Sequence, residues 1–336
     1  MQKKQGKQTV MFSNPVGIYS AASVVGPKEG EGPLGTVFDR VESDIMFGKE
    51  SWEKAESEFA RAAYETVIKK ADAAGSIDYV IAGDLLNQST GSVFGLRDTN
   101  VPYLGIFGAC SAMGEGMNLG GMLIDGGFAD KVCCVATSHF CSAEKQFRYP
   151  LEFGAQRPPT SSWTVTGAAA VVLDGSAVNG PKIAGCTTGK MVDMGSTDAN
   201  NMGAAMAGAA ADTICAHFED LGRQPEYYDI IATGDLGYIG SELLSELVKR
   251  RGYNIADRHE DCGIKIFDKE KQDTHAGGSG CACSGVVFAS HYLELLKRGE
   301  IRRMLFVPTG ALMSPISVQQ GESIPSVAHA VIIVSE

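Results

Sequence analysis

The chain has 336 residues, of which 44% are hydrophobic, and its 29 basic and 40 acidic residues give a formal net charge of −11. A chain of this length buries a substantial core without disulfides or structural metals. Its negative charge opposes non-specific binding to nucleic acid or to an anionic membrane surface, so the composition argues against a nucleic-acid partner.

The N-terminal segment predicts no targeting signal. It is basic over residues 1–7, but neither a long apolar stretch nor a small-residue cleavage site follows it. No run approaches the roughly 18 apolar residues of a spanning helix. We therefore expect a soluble, cytoplasmic protein without a signal peptide, whose nine cysteines are reduced thiols. No metal site is predicted, because Cys133-Cys134 and Cys281-Ala282-Cys283 lack paired C-x-x-C spacing.

A short string that occurs twice indicates an internal duplication. Asp78-Tyr-Val-Ile-Ala-Gly-Asp-Leu85 recurs as Asp229-Ile-Ile-Ala-Thr-Gly-Asp-Leu236. An Ala-rich pattern with helical spacing precedes each copy, over residues 51–74 and roughly 203–221, and Ser51 is a plausible N-cap. The two copies predict a helix followed by a strand in each half of the chain.

The later elements repeat in the same order. Residues 127–137 and 299–309 each form a turn followed by a short apolar run, and residues 168–173 and 330–334 predict closing strands. Apolar strands between helices indicate sheets covered on both faces, as in α/β folds. Turn-forming residues near 175–182 separate the copies. We predict an N-terminal half, residues 1–176, and a C-terminal half, residues 177–336.

Cys110 lies between a strand-like run, residues 101–107, and a helix-compatible stretch, residues 112–124. A thiol at a helix start meets the positive end of the helix dipole and free N–H groups, which favour thiolate and can bind an oxyanion or a carboxylate. The alternative is an inert core cysteine. His139 follows the next predicted strand and is a candidate base for Cys110, or else a histidine with a structural role.

The duplicated α/β chain with Gly-Ala-Cys110-Ser at this turn resembles the thiolase and ketoacyl-synthase superfamily. That resemblance implies a five-layered α-β-α-β-α fold and a nucleophilic cysteine assisted by His and Asn, or by two His, from loops of the second half. The corresponding loops here contain Asp235 and Asp261-Cys262. An ionised Asp235 would oppose the negative charge that develops in condensation, so we interpret it as a general base or a ligand acceptor.

Four longer strings resemble the stage V sporulation protein AD family: residues 26–35, 82–88, 144–150 and 276–284. That resemblance implies a non-enzymatic subunit that binds dipicolinate (pyridine-2,6-dicarboxylate), with calcium as a candidate partner and no cofactor. It further implies association with other subunits of a spore membrane transport complex, which would hold the protein at the forespore or spore inner membrane, and a homodimer. The function expected is dipicolinate uptake into the forespore during sporulation and its release on germination.

Carried over by position, the resemblance places Asp84, Cys110 and Cys133 in the ligand pocket. Alternatives are a turn or capping role for Asp84 and strand packing for Cys133. An arginine would suit a dicarboxylate, and we favour Arg148 over Arg157, although a surface ion pair is the alternative.

Two residues of the second half complete the predicted site. Asp235 is expected to contact the ligand, and Gly280 belongs to a Gly-rich loop that permits close backbone approach. The rival function is an acyltransferase with Cys110 as nucleophile and Asp235 or His139 as base. A scaffold that only tethers partners is the third alternative.

Overall fold

The computed structural model describes residues 2–72, 76–147, 156–177 and 179–335. The strands are β1 (Lys4–Gln5), β2 (Thr9–Val25), β3 (Arg40–Val41), β4 (Tyr79–Gly83), β5 (Tyr103–Gly105), β6 (Lys131–Ser138), β7 (Trp163–Thr164), β8 (Gly167–Asp174), β9 (Lys182–Thr187), β10 (Ile230–Thr233), β11 (His259–Asp261), β12 (Gly278–Ser279), β13 (Arg303–Val307), β14 (Thr309–Ala311), β15 (Ser326–Ala328) and β16 (Ala330–Val334). The helices are α1 (Pro27–Gly30), α2 (Trp52–Ala71), α3 (Thr90–Leu96), α4 (Ala112–Asp125), α5 (Phe140–Phe147), α6 (Met202–Leu221), α7 (Gly237–Arg250), α8 (Cys262–Ile266), α9 (Cys281–Val287), α10 (Leu293–Lys297) and α11 (Pro315–Gln319).

Both halves have the same strand order. The first half runs β5-β4-β6-β8-β2 and the second runs β11-β10-β13-β16-β9. In each half the first three strands pair in parallel and the next two pairings are antiparallel. Strands β2 and β9 pair antiparallel and join the halves into one continuous sheet. The predicted duplication of an α/β unit is therefore confirmed.

Helices cover the sheet in layers. Helix α2 buries Phe59 and Val67 against the outer face of the first half, and α6 buries Ile214 and Phe218 against the outer face of the second. Helices α4 and α9 lie between the two halves, where Met113 packs in a shared apolar cluster. Helix, sheet, central helices, sheet and helix form the predicted five-layered α-β-α-β-α arrangement.

The outer helices begin as their sequences dictate. The Ser51 side chain accepts a hydrogen bond from the Lys54 N–H at 3.3 Å, and Asn201 accepts one from the Ala204 N–H at the same distance. Asp72, in a left-handed conformation (φ 46°), ends α2 two residues before the predicted end at residue 74, which lies outside the described residues. These capping contacts satisfy backbone groups that would otherwise lack partners.

The sequence analysis missed β2 and β9, the two strands that pair where the halves join. The alternating pattern of a strand is obscured in β2 because Pro15 follows Ser13-Asn14, and the pairing register with β9 shifts between Met11 and Val16. A proline and a bulge in the middle of a run weaken the signature of a strand. The chain passes from β8 to β9 between residues 174 and 182, and the division at residue 176 stays a prediction.

Two further properties of the described residues concern the cysteines and the helices. All nine cysteines are free thiols, and eight of them are buried. Across residues 2–72, 76–147, 156–177 and 179–335, none of the helices combines the length and the apolar character that crossing a membrane requires.

Candidate functional site

Cys110 sits in a tight elbow between β5 and α4, as predicted. A 3-10 turn, Ala109–Ser111, leads directly into α4, and the turn is closed by the Ser111 hydroxyl, which donates to the Gly108 carbonyl at 2.7 Å. Ala109 has φ 49°, which a residue with a Cβ rarely adopts. Strain of this kind costs on the order of 1–3 kcal/mol and persists where the surroundings impose it, so the elbow holds Cys110 in a fixed position.

A loop from the second half meets this elbow. Strand β12 pairs with β7 and places Ser279 beside Cys110, with 3.9 Å between Sγ and Oγ. The Cys281 thiol, at the start of α9, donates to the Ala109 carbonyl at 2.9 Å. Gly280 has φ 104°, and a Cβ there would stand 2.7 Å from the Ser138 hydroxyl. Only glycine fits this approach, which brings the starts of the two central helices together.

Asp235 lies behind Ser279 and is 1% exposed. Its carboxylate accepts hydrogen bonds from the Ser279 hydroxyl at 2.6 Å, from the Gly280 N–H at 3.2 Å and from the Thr309 hydroxyl at 3.0 Å. Burial raises the pKa of Asp235 to about 6, and the nearby Asp261 carboxylate adds to the increase. The carboxylate is therefore buried without a cationic partner but with three neutral donors.

The surroundings of Cys110 favour the protonated thiol over the thiolate. The single hydroxyl hydrogen of Ser279 is donated to Asp235, so its oxygen is left to accept from the thiol. Burial raises the pKa of the Cys110 thiol well above its usual value, and the Asp235 charge raises it further. The sequence-based expectation that the helix start favours thiolate is wrong, because desolvation and a neighbouring anion outweigh the helix dipole.

A half-open cavity of about 580 Å³ begins at Cys110 and extends between the halves. Its polar lining includes side chains from both halves: Asp84, Cys110, Ser161, Ser162, Thr164 and Ser279. Its apolar lining likewise comes from both: Phe107, Phe147, Met202, Met206, Leu312 and Met313. No lysine, arginine or histidine lines it among the residues that the structure describes. The same part of the chain contains no group of three side chains arranged to hold a metal ion.

Three of the predicted ligand residues, Asp84, Cys110 and Gly280, line this cavity. Asp235, which was also expected to contact the ligand, does not line it, because Asp235 lies behind Ser279. The Asp84 carboxylate also caps the turn that follows β4, because it accepts from the Leu86 N–H at 2.8 Å and from the Ser92 N–H and hydroxyl at 2.7 and 2.6 Å. Burial raises the pKa of Asp84. The capping role and the cavity-lining position coexist at this residue.

Two predicted residues lie elsewhere. Cys133 is fully buried on the face of β6 that packs under α2, and it is absent from the cavity lining. His139 likewise does not line the cavity: its Nδ1 accepts from the Cys141 N–H at 3.1 Å, which leaves Nε2 to donate to the Ile45 carbonyl at 2.9 Å. Burial lowers the pKa of His139. The expected approach of His139 to Cys110 is therefore not observed.

Of the two candidate arginines, one belongs to the part of the chain that the structure describes. Arg148 lies outside the described residues. Arg157 donates to the Asp273 carbonyl at 2.6 Å and to its carboxylate at 3.2 Å, and its guanidinium lies over the Trp163 ring, 4.7 Å from the centroid. Arg157 does not line the cavity.

Asp261 has a positioning role rather than a direct one. Its carboxylate accepts from the N–H groups of Leu236 at 2.9 Å and Gly237 at 3.0 Å, and as N-cap of α8 it accepts from Ile264 at 3.2 Å. These bonds fix the loop that carries Asp235. The sequence analysis missed Ser279 and Thr309, although Ser279 stands inside the Gly-rich loop that it had singled out.

Thiol labelling tests this electrostatic description. Cys141, the one half-buried cysteine, should react with iodoacetamide first, and Cys110 should react at least about tenfold more slowly at pH 8 because little thiolate forms there. In Asp235→Asn, which removes the neighbouring charge, labelling of Cys110 should become faster. Peptide mass spectrometry over time measures both rates, and faster labelling of Cys110 than of Cys141 in the unaltered protein would contradict the description.

The fold is shared with crystallised OleA proteins. Over 96% of this chain and 99% of theirs, it superimposes on a crystallised OleA variant of Xanthomonas campestris with a TM-score of 0.61 at 17% identity. A cerulenin-bound OleA of the same organism gives a TM-score of 0.61 at 16% identity, over 96% of this chain and 100% of that one. Two duplicated halves with a cysteine at the start of the first central helix define a thiolase-like protein.

Sequence comparison identifies the family within this class. The family model described as stage V sporulation protein AD (SpoVAD) matches residues 6–334. Stage V sporulation protein AD of Bacillus subtilis (strain 168) is 44% identical over 331 residues, which cover 98% of this chain and 97% of that protein. The chain belongs to the stage V sporulation protein AD family, and this membership supports a role in sporulation.

Proposed function

We propose that the cavity at Cys110 binds dipicolinate without covalent chemistry, as part of a spore membrane transport complex that takes it into the forespore and releases it on germination. The observation that carries the proposal is the surroundings of Cys110: Ser279 and, behind it, the buried Asp235 carboxylate lie beside the thiol, and no histidine, lysine or arginine lines the described part of the cavity. A nucleophilic cysteine needs a neighbour that stabilises thiolate, and Asp235 does the opposite. The cavity beside Cys110 is lined by both polar and apolar side chains, which suits the binding of a small molecule.

The lining fits a flat aromatic diacid. The hydroxyls of Ser162 and Thr164 supply neutral donors, and Phe107 and Phe147 supply apolar surface for a ring. Pockets for small ligands commonly combine an apolar lining with a few placed polar groups. Because the described lining has no cation, calcium bound to the ligand, or Arg148 of the segment outside the described residues, would supply the positive charge.

Calorimetric titration with dipicolinate, with and without calcium, tests the proposal. We expect saturable heat in at least one of the two conditions. Pyridine-3,5-dicarboxylate is the matched control, because its carboxylates do not flank the ring nitrogen and it cannot chelate calcium in the same way; we expect at least about tenfold weaker binding, or 1.4 kcal/mol. Absence of heat with dipicolinate in both conditions would refute the proposal.

One observation favours the acyltransferase alternative. Cys110, Ser279 and Asp235 form a hydrogen-bonded chain, along which the thiol proton could pass to Ser279 while the Ser279 proton passes to Asp235. The resulting thiolate could attack a thioester carbonyl; the bond to the donor sulfur would break as the acyl–Cys110 bond forms, and the departing thiolate would take the proton from Asp235 and leave as the free thiol. This relay must first overcome the raised pKa of the thiol, so binding is the better supported function.

We propose that two copies of the chain form a homodimer through β5, at the exposed edge of the sheet. Strand β5 is the outermost strand of the first half, and Leu104 on it is 41% exposed. Phe94 on α3 and Phe107 just after β5 are also exposed, and Phe107 lines the cavity as well. An edge strand has backbone N–H and C=O groups that can pair with another strand. Pairing of β5 with β5 of a second copy about a two-fold axis would give a dimer.

A charge on this edge should separate the subunits. We expect Leu104→Asp to be monomeric by sedimentation velocity at concentrations where the unaltered protein is dimeric, because it buries a carboxylate in the interface. Phe128→Asp is the control: Phe128 is 73% exposed and follows α4 at the end opposite Cys110. Monomers of the unaltered protein, or equal dissociation in both variants, would count against this interface.

Association with the membrane is proposed to depend on the other subunits of the transport complex. The chain itself carries a net charge of −11, which repels anionic lipid. We therefore expect an interface with a partner subunit, rather than direct lipid binding, to hold the chain at the membrane.

A further inference from the structure

The Asp235 carboxylate, when ionised, would repel any anionic ligand in the cavity. Asp235 is 1% exposed, and all three of its donors, from Ser279, Gly280 and Thr309, are neutral. Two residues that line the cavity, Ser279 and Gly280, donate directly to this carboxylate. A buried charge in this setting has no counter-ion to offset a second charge of the same sign.

The titratable groups that face Asp235 do not offset its negative charge. On the elbow the neighbour is Cys110, and at the end of β11 it is Asp261. On α8 and α9 the neighbours are the thiols of Cys262, Cys281 and Cys283. Burial raises the pKa of each of these thiols, so they are neutral at physiological pH. Among the described residues, none of the groups with the largest influence on Asp235 is a cation.

Resting on the proposed function, we propose that Asp235 takes up one proton from solvent when an anionic carboxylate ligand enters the cavity. The ligand carboxyls are ionised above pH ~6, since ordinary carboxyl pKa values lie near 4. Ligand and Asp235 would otherwise place like charges close together in a poorly solvated site. One proton added to the Asp235 carboxylate neutralises it, and an O–H bond is the only bond formed.

Protonation would also reverse a hydrogen bond in favour of the ligand. In the structure Ser279 donates its only hydroxyl hydrogen to Asp235. Once Oδ2 carries a proton, Asp235 donates to Ser279, and the Ser279 hydroxyl is free to donate into the cavity that it lines. The same proton thus removes a repulsion and supplies a donor to the ligand carboxylate.

The pH dependence follows from the free site. Burial raises the pKa of Asp235 to about 6, so the free protein is largely ionised there above that pH. Binding should therefore take up progressively more protons as pH rises from 6, approaching one. Over the range in which a full proton is taken up, the dissociation constant should rise by about tenfold per pH unit.

Calorimetry in buffers of different ionisation enthalpy measures the proton uptake directly. We expect the observed heat of dipicolinate binding at pH 7.5 to depend on the buffer, with a slope between about half a proton and one. In Asp235→Asn the slope should vanish and the affinity should become independent of pH. Glu29→Gln is the matched control, because Glu29 is equally buried, its pKa is raised to about 7 and it does not line the cavity; its slope should match that of the unaltered protein.

Thr309→Val provides a second variant in case Asp235→Asn does not fold. It removes a donor from Asp235 and so raises the carboxyl pKa, and uptake at pH 6.5 should decrease because more of the free protein already carries the proton. Binding without buffer dependence would overturn the inference and leave the proposed function intact, as would a slope that persists in Asp235→Asn. Absence of binding at every pH would overturn both.

Discussion

Gly310→Ala is expected to destabilise the protein and to abolish ligand binding. A Cβ at this position would stand 2.0 Å from the Gly108 carbonyl oxygen and 3.0 Å from the Ser111 nitrogen, both backbone atoms of the elbow that carries Cys110. Overpacking typically costs 1–3 kcal/mol, and we expect at least about 2 kcal/mol here because neither neighbour is a flexible side chain. Urea unfolding measures the loss, and calorimetry measures the accompanying loss of binding.

Gly116→Ala is the matched control for this substitution. Gly116 lies on α4, less than two turns beyond Cys110, and a Cβ there would make ordinary contacts at 3.4 Å with the Cys134 Cβ. Alanine should stabilise the helix by up to about 1 kcal/mol relative to glycine. Equal stabilities for the two variants would show that the close approach of β14 to the elbow does not position Cys110.

Ala311→Trp should weaken dipicolinate binding by at least about 100-fold, or roughly 2.7 kcal/mol, without unfolding the protein. Ala311 ends β14, is half-buried and lines the cavity, so a large ring there has open space to enter. The indole would occupy volume that the ligand needs. Calorimetry with dipicolinate measures the change in affinity, and a thermal unfolding curve verifies that the fold persists.

The control for the cavity substitution is Ala256→Trp. Ala256 is exposed in the turn before β11 and does not line the cavity. We expect its affinity to match that of the unaltered protein. Retention of full affinity in Ala311→Trp would mean that dipicolinate binds elsewhere on the molecule.

The features predicted correctly from the sequence are those with local signatures. The repeated string that begins at Asp78 and at Asp229 predicted the equivalent strands β4 and β10. Each is an apolar run bounded by turn residues, and such a run can be recognised from its own local sequence. The elbow at Cys110 was predicted in the same way, from a strand-like run that ends in small residues before a helical pattern. Ser51 was identified as an N-cap from its position alone.

The features that were missed depend on contacts between distant segments. The pKa of Cys110 is set by burial and by Asp235, which lies far along the chain, so the local helix start gave the wrong expectation. Ser279 reaches Cys110 only because β12 pairs with β7, a register that no local pattern specifies. His139 follows its strand as expected, yet its ring is bonded to Ile45 and Cys141 instead of to the elbow.

The central claim is that the cavity at Cys110 binds its ligand without covalent chemistry. Mass spectrometry of the protein mixed with dipicolinate and acetyl-CoA, first under native and then under denaturing conditions, tests it most directly. We predict one bound dipicolinate per chain in the native spectrum and the unmodified chain mass after denaturation. An acetyl adduct on Cys110 that survives denaturation, or a native spectrum without bound dipicolinate, would contradict the claim.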